Sequence, residues 1–353
     1  MRVLLLGGTW FLGKAVAADA LARGWAVTTF TRGCSGPPPA GAVAVTGDRT
    51  SRRDLAALAE HGRWDAVVDT SASELAPRDV LAGARLLEPL AGTYVYVSTV
   101  NVYRGWPNEP LEDHSELLEA PADADADFGR LPPGWTGPDW YYGRQKAGAE
   151  RAVRHAFGDG RSVILRPGVI LGPDEYVGRL PWWLARAARG GTILGPGTPD
   201  RRIQPADVRD VASFALDRAS AAEGGSFNIT ALGDETFGDF LNACVEVTGG
   251  RGVVEWVPDR LLLDAGVKQW TELPLWRTSA GVWAVDSSAA RAAGLSTRPI
   301  RETVLDTWGW MESGGRPVAH PRWDEHGISP DVEAGLLTAA RLASTQAGRA
   351  SGG

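Results

Sequence analysis

Arg2-Val-Leu-Leu-Leu6, Gly7-Gly8-Thr9-Trp10-Phe11-Leu12-Gly13 and Lys14-Ala-Val-Ala-Ala-Asp-Ala-Leu-Ala22 follow one another at the start of the chain. The order is a short apolar run, a glycine-rich turn and an alanine-rich stretch. It predicts a buried strand, a tight turn and a helix, the setting in which a dinucleotide pyrophosphate is held. Glycines let the backbone approach the phosphates, and a helix N-terminus presents N–H groups and a partial positive charge. Gly7, Thr9, Trp10, Phe11, Leu12 and Gly13 are therefore candidate cofactor residues. Without its flanks the same cluster would read as an ordinary strand-to-helix turn; the flanks favour a nucleotide.

Outward from this turn, Trp25-Ala-Val-Thr-Thr-Phe30 makes a second strand that ends at Thr31-Arg32-Gly33. NAD-binding folds place an acid on the ribose hydroxyls roughly 20 residues past the glycine turn. This chain has Thr31 and Arg32 there. An acid would repel a 2′-phosphate, whereas an arginine can hold one by forked, charge-assisted hydrogen bonds. NADP(H) is the expected cofactor, with NAD(H) as the alternative. The competing reading of Arg32 is a solvated loop residue.

Strand and helix patterns then alternate. Val43–Thr46 ends at Gly47-Asp48-Arg49, Ala66–Asp69 at Thr70-Ser71-Ala72, Thr93–Val97 at Ser98-Thr99, and Ser162–Leu165 at Arg166-Pro167-Gly168. Helical stretches near 14–23, 51–61, 76–88 and 143–157 separate them. The expected fold is α/β, a Rossmann-type doubly wound parallel sheet with a smaller C-terminal α/β substrate lobe. Ligands of such sheets bind beyond the carboxyl ends of the strands, which adds Thr70, Ser71, Ala72 and Val97 to the candidates. The expected boundaries are a dinucleotide-binding core over 1–170, with a long lid-like segment at 104–140, and a lobe over 171–335. Residues 203–230 are expected to return to the core, and 340–353 to form a disordered tail. The lobe is rich in the chain's 15 tryptophans, among them Trp182, Trp183, Trp256, Trp270, Trp276 and Trp283, which read first as its core.

The 353 residues carry a net charge of −7 and suffice for one large α/β unit with a smaller lobe. Eight acids and no lysine or arginine lie between Glu109 and Asp127, so the remainder sums to about +1. The acidity speaks against a nucleic-acid surface. Cys34 and Cys244 form no paired framework and read as reduced thiols, and the five histidines show no metal-ligand spacing. No apolar run approaches the ~20 residues needed to cross a membrane. The apolar start fits a folded strand better than a signal peptide. These features suggest a cytoplasmic protein with a small-molecule substrate; a homodimer is compatible with them.

Tyr142-Gly-Arg-Gln-Lys146 names the chemistry. Positions i and i+4 share a helix face, so the phenol and the ammonium can meet one turn apart. A tyrosine's pKa is near ~10, and a fixed cation beside it favours the phenolate. Such a tyrosine passes a proton to or from a carbonyl or alcohol oxygen near neutral pH. By itself the spacing is a common coincidence; the nucleotide end of the chain gives it weight.

With these motifs in order, the chain resembles the extended short-chain dehydrogenase/reductase superfamily, and most closely its NAD-dependent epimerase/dehydratase-like branch. The resemblance spans roughly 1–245. It rests on Gly7–Gly13, Val95-Tyr-Val-Ser-Thr99 with Val102-Tyr103, Tyr142–Lys146 with Glu150, Leu165-Arg-Pro-Gly168 with Gly172-Pro173, Asp207-Val-Arg-Asp-Val-Ala212 and Phe227-Asn-Ile-Thr230. Leu261, Gly266-Val267 and Trp270–Trp276 look like a bacterial subgroup labelled reductases by analogy. The resemblance implies that Tyr142 is the acid/base and that Lys146 lowers its pKa while holding the nicotinamide ribose. It aligns Thr99 with the residue that hydrogen-bonds the reacting oxygen and leaves Ser98 to support the loop, an exchange of the two roles staying open. It places Asp48 and Arg49 where adenine is held, and Pro167, Gly168 and Val169 where backbone meets the nicotinamide amide.

Two departures narrow the reading. Trp10 stands at the usual middle glycine of the fingerprint, so its side chain is expected to point away from the phosphates. Val100-Asn101 stands where nucleotide-sugar dehydratases carry an Asp-Glu pair after the catalytic threonine. Elimination of water needs a carboxylic acid at the substrate, so that reaction is not expected. The acidic segment either repels anionic substrates or is a solvated surface. The leading expectation is an NADP-dependent oxidoreductase that reduces a carbonyl or imine of a small organic substrate, with a secondary metabolite among the candidates. The alternatives are a nucleotide-sugar epimerase with tightly bound NAD, and a non-catalytic nucleotide-sensing or RNA-associated protein.

Overall fold

Leu4, Leu5 and Leu6 are all apolar because both faces of their strand are covered, and none is more than 1% exposed. The computed structural model describes residues 1–73, 75–316 and 326–350. The chain divides into two units. The first comprises Met1–Ile170, Gln204–Ala231 and Ser279–Thr297; the second comprises Leu171–Ile203, Leu232–Thr278 and Arg298–Gly353. The return of Ser279–Thr297 to the first unit is absent from the boundaries expected above. Its anchor is Leu111, which exchanges backbone hydrogen bonds with Ala284 and Asp286 (2.8 Å each).

In the first unit β1 (Arg2–Leu6), β2 (Ala26–Thr31), β3 (Val43–Thr46), β4 (Trp64–Asp69), β5 (Ala91–Val97) and β6 (Ser162–Pro167) alternate with α1 (Phe11–Ala22), α2 (Arg52–Ala59), α3 (Pro77–Leu87) and α4 (Trp140–Phe157). The short β7 (Ile170–Leu171) follows, and α5 (Arg179–Ala188) and β8 (Gly191–Pro196) begin the second unit. The chain returns to the first unit with β9 (Ala206–Asp207), α6 (Val208–Ala221) and β10 (Gly225–Ile229). Asp207 starts α6 by accepting the Arg209 N–H (2.8 Å), a side-chain N-cap.

The sheet has seven strands in the order β10-β6-β5-β4-β1-β2-β3, with every pair parallel. The strand order reverses at β1, between β4 and β2, which is the crevice where doubly wound sheets take ligands. Helices α1 and α6 pack together on one face, and α2, α3 and α4 on the other. Register sets the strand ends level: Leu6 stands beside Phe30 and Asp69, Asp69 beside Tyr96, and Val97 beside Leu165.

The 104–140 segment is anchored within the first unit. Leu118 N–H bonds to Val102 O (2.8 Å), and Arg151 donates to Ala120 O (2.8 Å). Trp106, Leu111, Leu118, Ala120 and Phe128 of this segment are buried, whereas its acids other than Asp113 are exposed.

The second unit contains the parallel pair β8 and β11 (Gly252–Val257), together with α5, α7 (Phe237–Val247) and α8 (Asp259–Asp264). The first unit's short α9 (Ser288–Ala292) precedes the second unit's α10 (Ile300–Glu312) and α11 (Pro330–Ala350). Trp183 and Trp276 are fully buried in the second unit and donate to Pro274 O and Asp259 Oδ1, at 2.8 Å each. Trp182, Trp256 and Trp270 are half-buried there and Trp283 lies in the first unit, so the lobe-core reading holds for part of the set. Residues 340–350, expected to be frayed, continue α11; the alanines of that stretch favour helix. Residues 351–353 lie outside the described ones. No helix among the described residues is long and apolar enough to cross a membrane.

The turn after β1 depends on missing side chains. Gly7 and Gly8 have φ of +113° and +109°, and a Cβ on Gly13 would lie 2.7 Å from both Gly8 N and Thr70 Oγ1. Gly13→Ala is expected to lower stability by about 1–3 kcal/mol through overpacking. Urea unfolding measures this; an unchanged midpoint and slope would mean the turn has room to spare.

Candidate functional site

The level strand ends gather the expected residues on one edge of the sheet. Gly7 follows β1, with its N–H on Phe30 O (3.0 Å); Thr70 follows β4, with its N–H on Leu6 O (3.1 Å). Thr31 ends β2, Val97 ends β5, and Ser98 N–H reaches Leu165 O (2.7 Å). Pro167 ends β6, and Gly168 N–H bonds to Ile229 O (3.1 Å), which leaves Gly168 and Val169 half-buried. Helix α1 starts from Trp10 with no side-chain cap, and no acid sits in its first turn. Its positive end therefore opens on the glycine turn formed by Gly7, Gly8 and Thr9. Phe11, its first residue, has φ of +34°, an uncommon conformation for a side-chain-bearing residue; Leu12 and Gly13 follow, both buried.

Arg32 is exposed just past β2. Its charge reaches Asp48, whose carboxyl is held below the usual range mainly by the Thr50 N–H and hydroxyl (2.8 Å each), with Arg32 adding to them. Arg49 has a different use from the one expected. Its guanidinium lies in a buried ion pair with Asp69, at 2.7 Å to each carboxylate oxygen, and donates to Ser71 Oγ (3.0 Å). Tyr94 OH completes the set on Asp69 (2.8 Å). Asp69 closes the apolar run Ala66–Val68 of β4, and an acid closing such a run was the available signal for a buried cation partner. Ser71 is exposed beside this pair, and Ala72 is buried.

Asp139 caps α4 by accepting the Tyr142 N–H (2.8 Å). One turn on, Lys146 is 3% exposed and donates from Nζ to Val97 O (2.6 Å). The ammonium lies 4.3 Å from the centre of the Tyr96 ring, a cation–π contact. Burial lowers its pKa to about 8; Asp69 and Glu150 work in the opposite direction, and Arg49 with the burial. Tyr142 is half-buried on the same face of the helix.

Between these two residues, Gly143 decides how near the helix comes to the turn after β5. A Cβ there would lie 2.5 Å from Asn101 O and 2.7 Å from a Leu118 methyl. The glycine inside Tyr-Gly-Arg-Gln-Lys is thus a contact residue, which sequence spacing alone did not single out.

Ser98 and Thr99 diverge. Ser98 Oγ donates inward to Glu150 Oε1 (2.5 Å), and Glu150 takes both Arg166 Nε (3.0 Å) and Nη2 (2.7 Å). Arg166 Nη1 bonds to Tyr103 OH (2.9 Å), whose hydrogen goes to Asn228 Oδ1 (2.8 Å). This closed chain occupies Ser98. Thr99, 6% exposed, instead caps the short turn Val100–Val102.

The comparisons with known proteins bear on the family and the fold. A family model described as the NAD dependent epimerase/dehydratase family matches residues 3–230. A dTDP-6-deoxy-L-talose 4-dehydrogenase (NAD(P)(+)) of Kitasatospora kifunensis is 28% identical over 189 residues, 49% of this chain and 54% of that protein. The chain thus spans about half the length of this curated relative. Among solved structures, Bordetella bronchiseptica WbmG in complex with NAD superposes with a TM-score of 0.64 at 17% identity, over 89% of this chain and 94% of that one. A dTDP-4-dehydrorhamnose reductase from Clostridium acetobutylicum gives 0.61 at 15% identity, over 88% and 100%. At such identities the structures speak for the fold alone. The family model covers well over half of the sequence, and the chain belongs to the NAD-dependent epimerase/dehydratase family, within the extended short-chain dehydrogenase/reductase superfamily.

Proposed function

We propose that the protein is an NADP-dependent reductase of a carbonyl or imine in a small organic molecule, with Tyr142 as proton donor. The observation that carries the reading is Lys146, a desolvated ammonium fixed at the end of β5, one helical turn from Tyr142. The residues present fit the cofactor, because the N-terminus of α1 has neither a side-chain cap nor an acid in its first turn and opens on a glycine turn packed closely against Thr29 and Thr70. When bound, the nicotinamide supplies the hydride.

The rest falls to the protein. Gly7, Thr9, Trp10, Phe11, Leu12 and Gly13 hold the phosphates at the positive end of α1. Thr31 and Arg32 take the 2′-phosphate, and Asp48 borders the adenine, with Arg49 beneath it supporting Ser71. Thr70, Ser71, Ala72 and Val97 border the middle of the cofactor; Pro167, Gly168 and Val169 present backbone to the nicotinamide amide. Thr99 orients the reacting oxygen or nitrogen. Tyr142 gives that atom its proton, and Lys146 stabilises the phenolate left behind.

A keto sugar carried on a nucleotide is the second reading, favoured by the name of the Kitasatospora relative. An epimerase would retain NAD through purification, whereas the proposed reductase exchanges NADPH freely. Mass spectrometry of the nucleotide released on denaturation separates the two.

Tyr142→Phe is expected to lower kcat with a carbonyl panel by about a hundredfold or more while sparing NADPH affinity. Retained turnover would sink the mechanism. Arg32→Ala is expected to weaken NADPH about tenfold and leave NADH unchanged, because one charge-assisted contact is lost; an unaltered preference removes the arginine from the account. NADPH affinity of the free protein should fall as pH rises through about 8, where Lys146 loses its charge. Calorimetric titration across that range checks this, and Lys146→Met should show no such dependence.

A further inference from the structure

A threonine hydroxyl has one hydrogen to give and two lone pairs to receive. Thr99 Oγ1 receives twice. The backbone N–H of Asn101 lies 3.2 Å away and its side-chain Nδ2 lies 3.1 Å away. With both lone pairs engaged, the hydroxyl hydrogen has to point elsewhere. The backbone bond would exist with any residue at 101 other than proline, since it belongs to the turn that Thr99 caps. The side-chain bond is particular to asparagine, which can donate there; an acid at the same place would accept and draw the hydroxyl hydrogen toward itself. The loop is held against movement, because Val100 and Val102 are buried and α4 rests on Asn101 O through Gly143.

We propose that Asn101 is a positioning residue that fixes Thr99 as an outward hydrogen-bond donor, so that the site selects a substrate atom presenting a lone pair. This rests on the reductase reading given above. A carbonyl oxygen has two lone pairs and can accept from Thr99 and Tyr142 together, which polarises it for attack at carbon. As the carbon–hydride bond forms, the C=O π pair moves to oxygen and takes the Tyr142 proton. Thr99 keeps its hydrogen throughout and stays bonded to the new alcohol oxygen. Tyr142 regains a proton from solvent.

A double-mutant cycle tests this, with phenanthrenequinone and a keto sugar nucleotide as probes and NADPH oxidation as readout. Asn101→Asp, close in shape but acceptor-only when ionised, should reduce kcat by about a hundredfold, to the level of Thr99→Ala. Asn101→Ala, which leaves the backbone bond, should cost about tenfold less than Asn101→Asp. A packing role would reverse that order. In the Thr99→Ala background, Asn101→Asp should cost nothing further, and NADPH affinity should be unchanged in all variants. If Asn101→Asp costs as much without Thr99 as with it, the asparagine does not act through the threonine and the inference is overturned. If neither Thr99→Ala nor Tyr142→Phe slows the wild-type reaction, or the wild type reduces neither probe, the reductase reading itself fails and takes this inference with it.

Discussion

One hydrogen bond, from Lys146 Nζ to Val97 O at 2.6 Å, ties the helix that carries the phenol to the end of the strand that leads into the hydroxyl's turn. Burying an ammonium is costly, and burial lowers its pKa. The surroundings offset part of it with the Tyr96 ring, Asp69 and Glu150. Nearby contacts serve the same approach of helix to strand. Gly143 removes the side chain that would collide with Asn101 O, Gly148 lets Pro77 of α3 close in from the other side, and Gln145 Nε2 grips Leu75 O (2.6 Å). The lysine is held less by a carboxylate partner than by the geometry of a packed helix.

Much of this was legible in the chain. Short apolar runs such as Val3–Leu6, closed by glycines, read as strands covered on both faces, and the glycines between strand and helix mark the turn. The seven-stranded parallel sheet follows from that alternation, as does the gathering of Gly7, Thr31, Thr70, Thr99 and Pro167 on one edge. Tyr142 and Lys146 were legible because a helix repeats every 3.6 residues, whatever surrounds it.

The rest depends on partners far apart in sequence. Arg49 reads as a turn residue beside the nucleotide, yet Asp69, 20 residues on, draws it into the interior. Neither strand pattern nor spacing announces that pairing. Asn228 meets Tyr103 across 125 residues, and the return of Ser279–Thr297 hangs on backbone bonds at Leu111. Ser98 and Thr99 are adjacent and chemically alike, and their uses are separated by the buried Glu150 on one and by Asn101 on the other. Helix α11 was missed for another reason: small polar residues at its end resemble a tail, while alanine content favours helix.

The chain from Ser98 through Glu150, Arg166 and Tyr103 to Asn228 has a consequence for how such a protein can change over generations. Its members come from α4, β6, β10 and the segment that follows β5, and each occupies the buried polar atoms of the next. Replacing one strands a charge or a hydroxyl in the interior, which no neighbour can relieve. The five positions are therefore expected to be inherited as a block, or exchanged together for apolar residues. Their preservation across descendants would then record the demands of the core, and would be poor evidence about which molecule the enzyme turns over. Drift in substrate has to be sought at exposed positions, where a single exchange leaves nothing stranded.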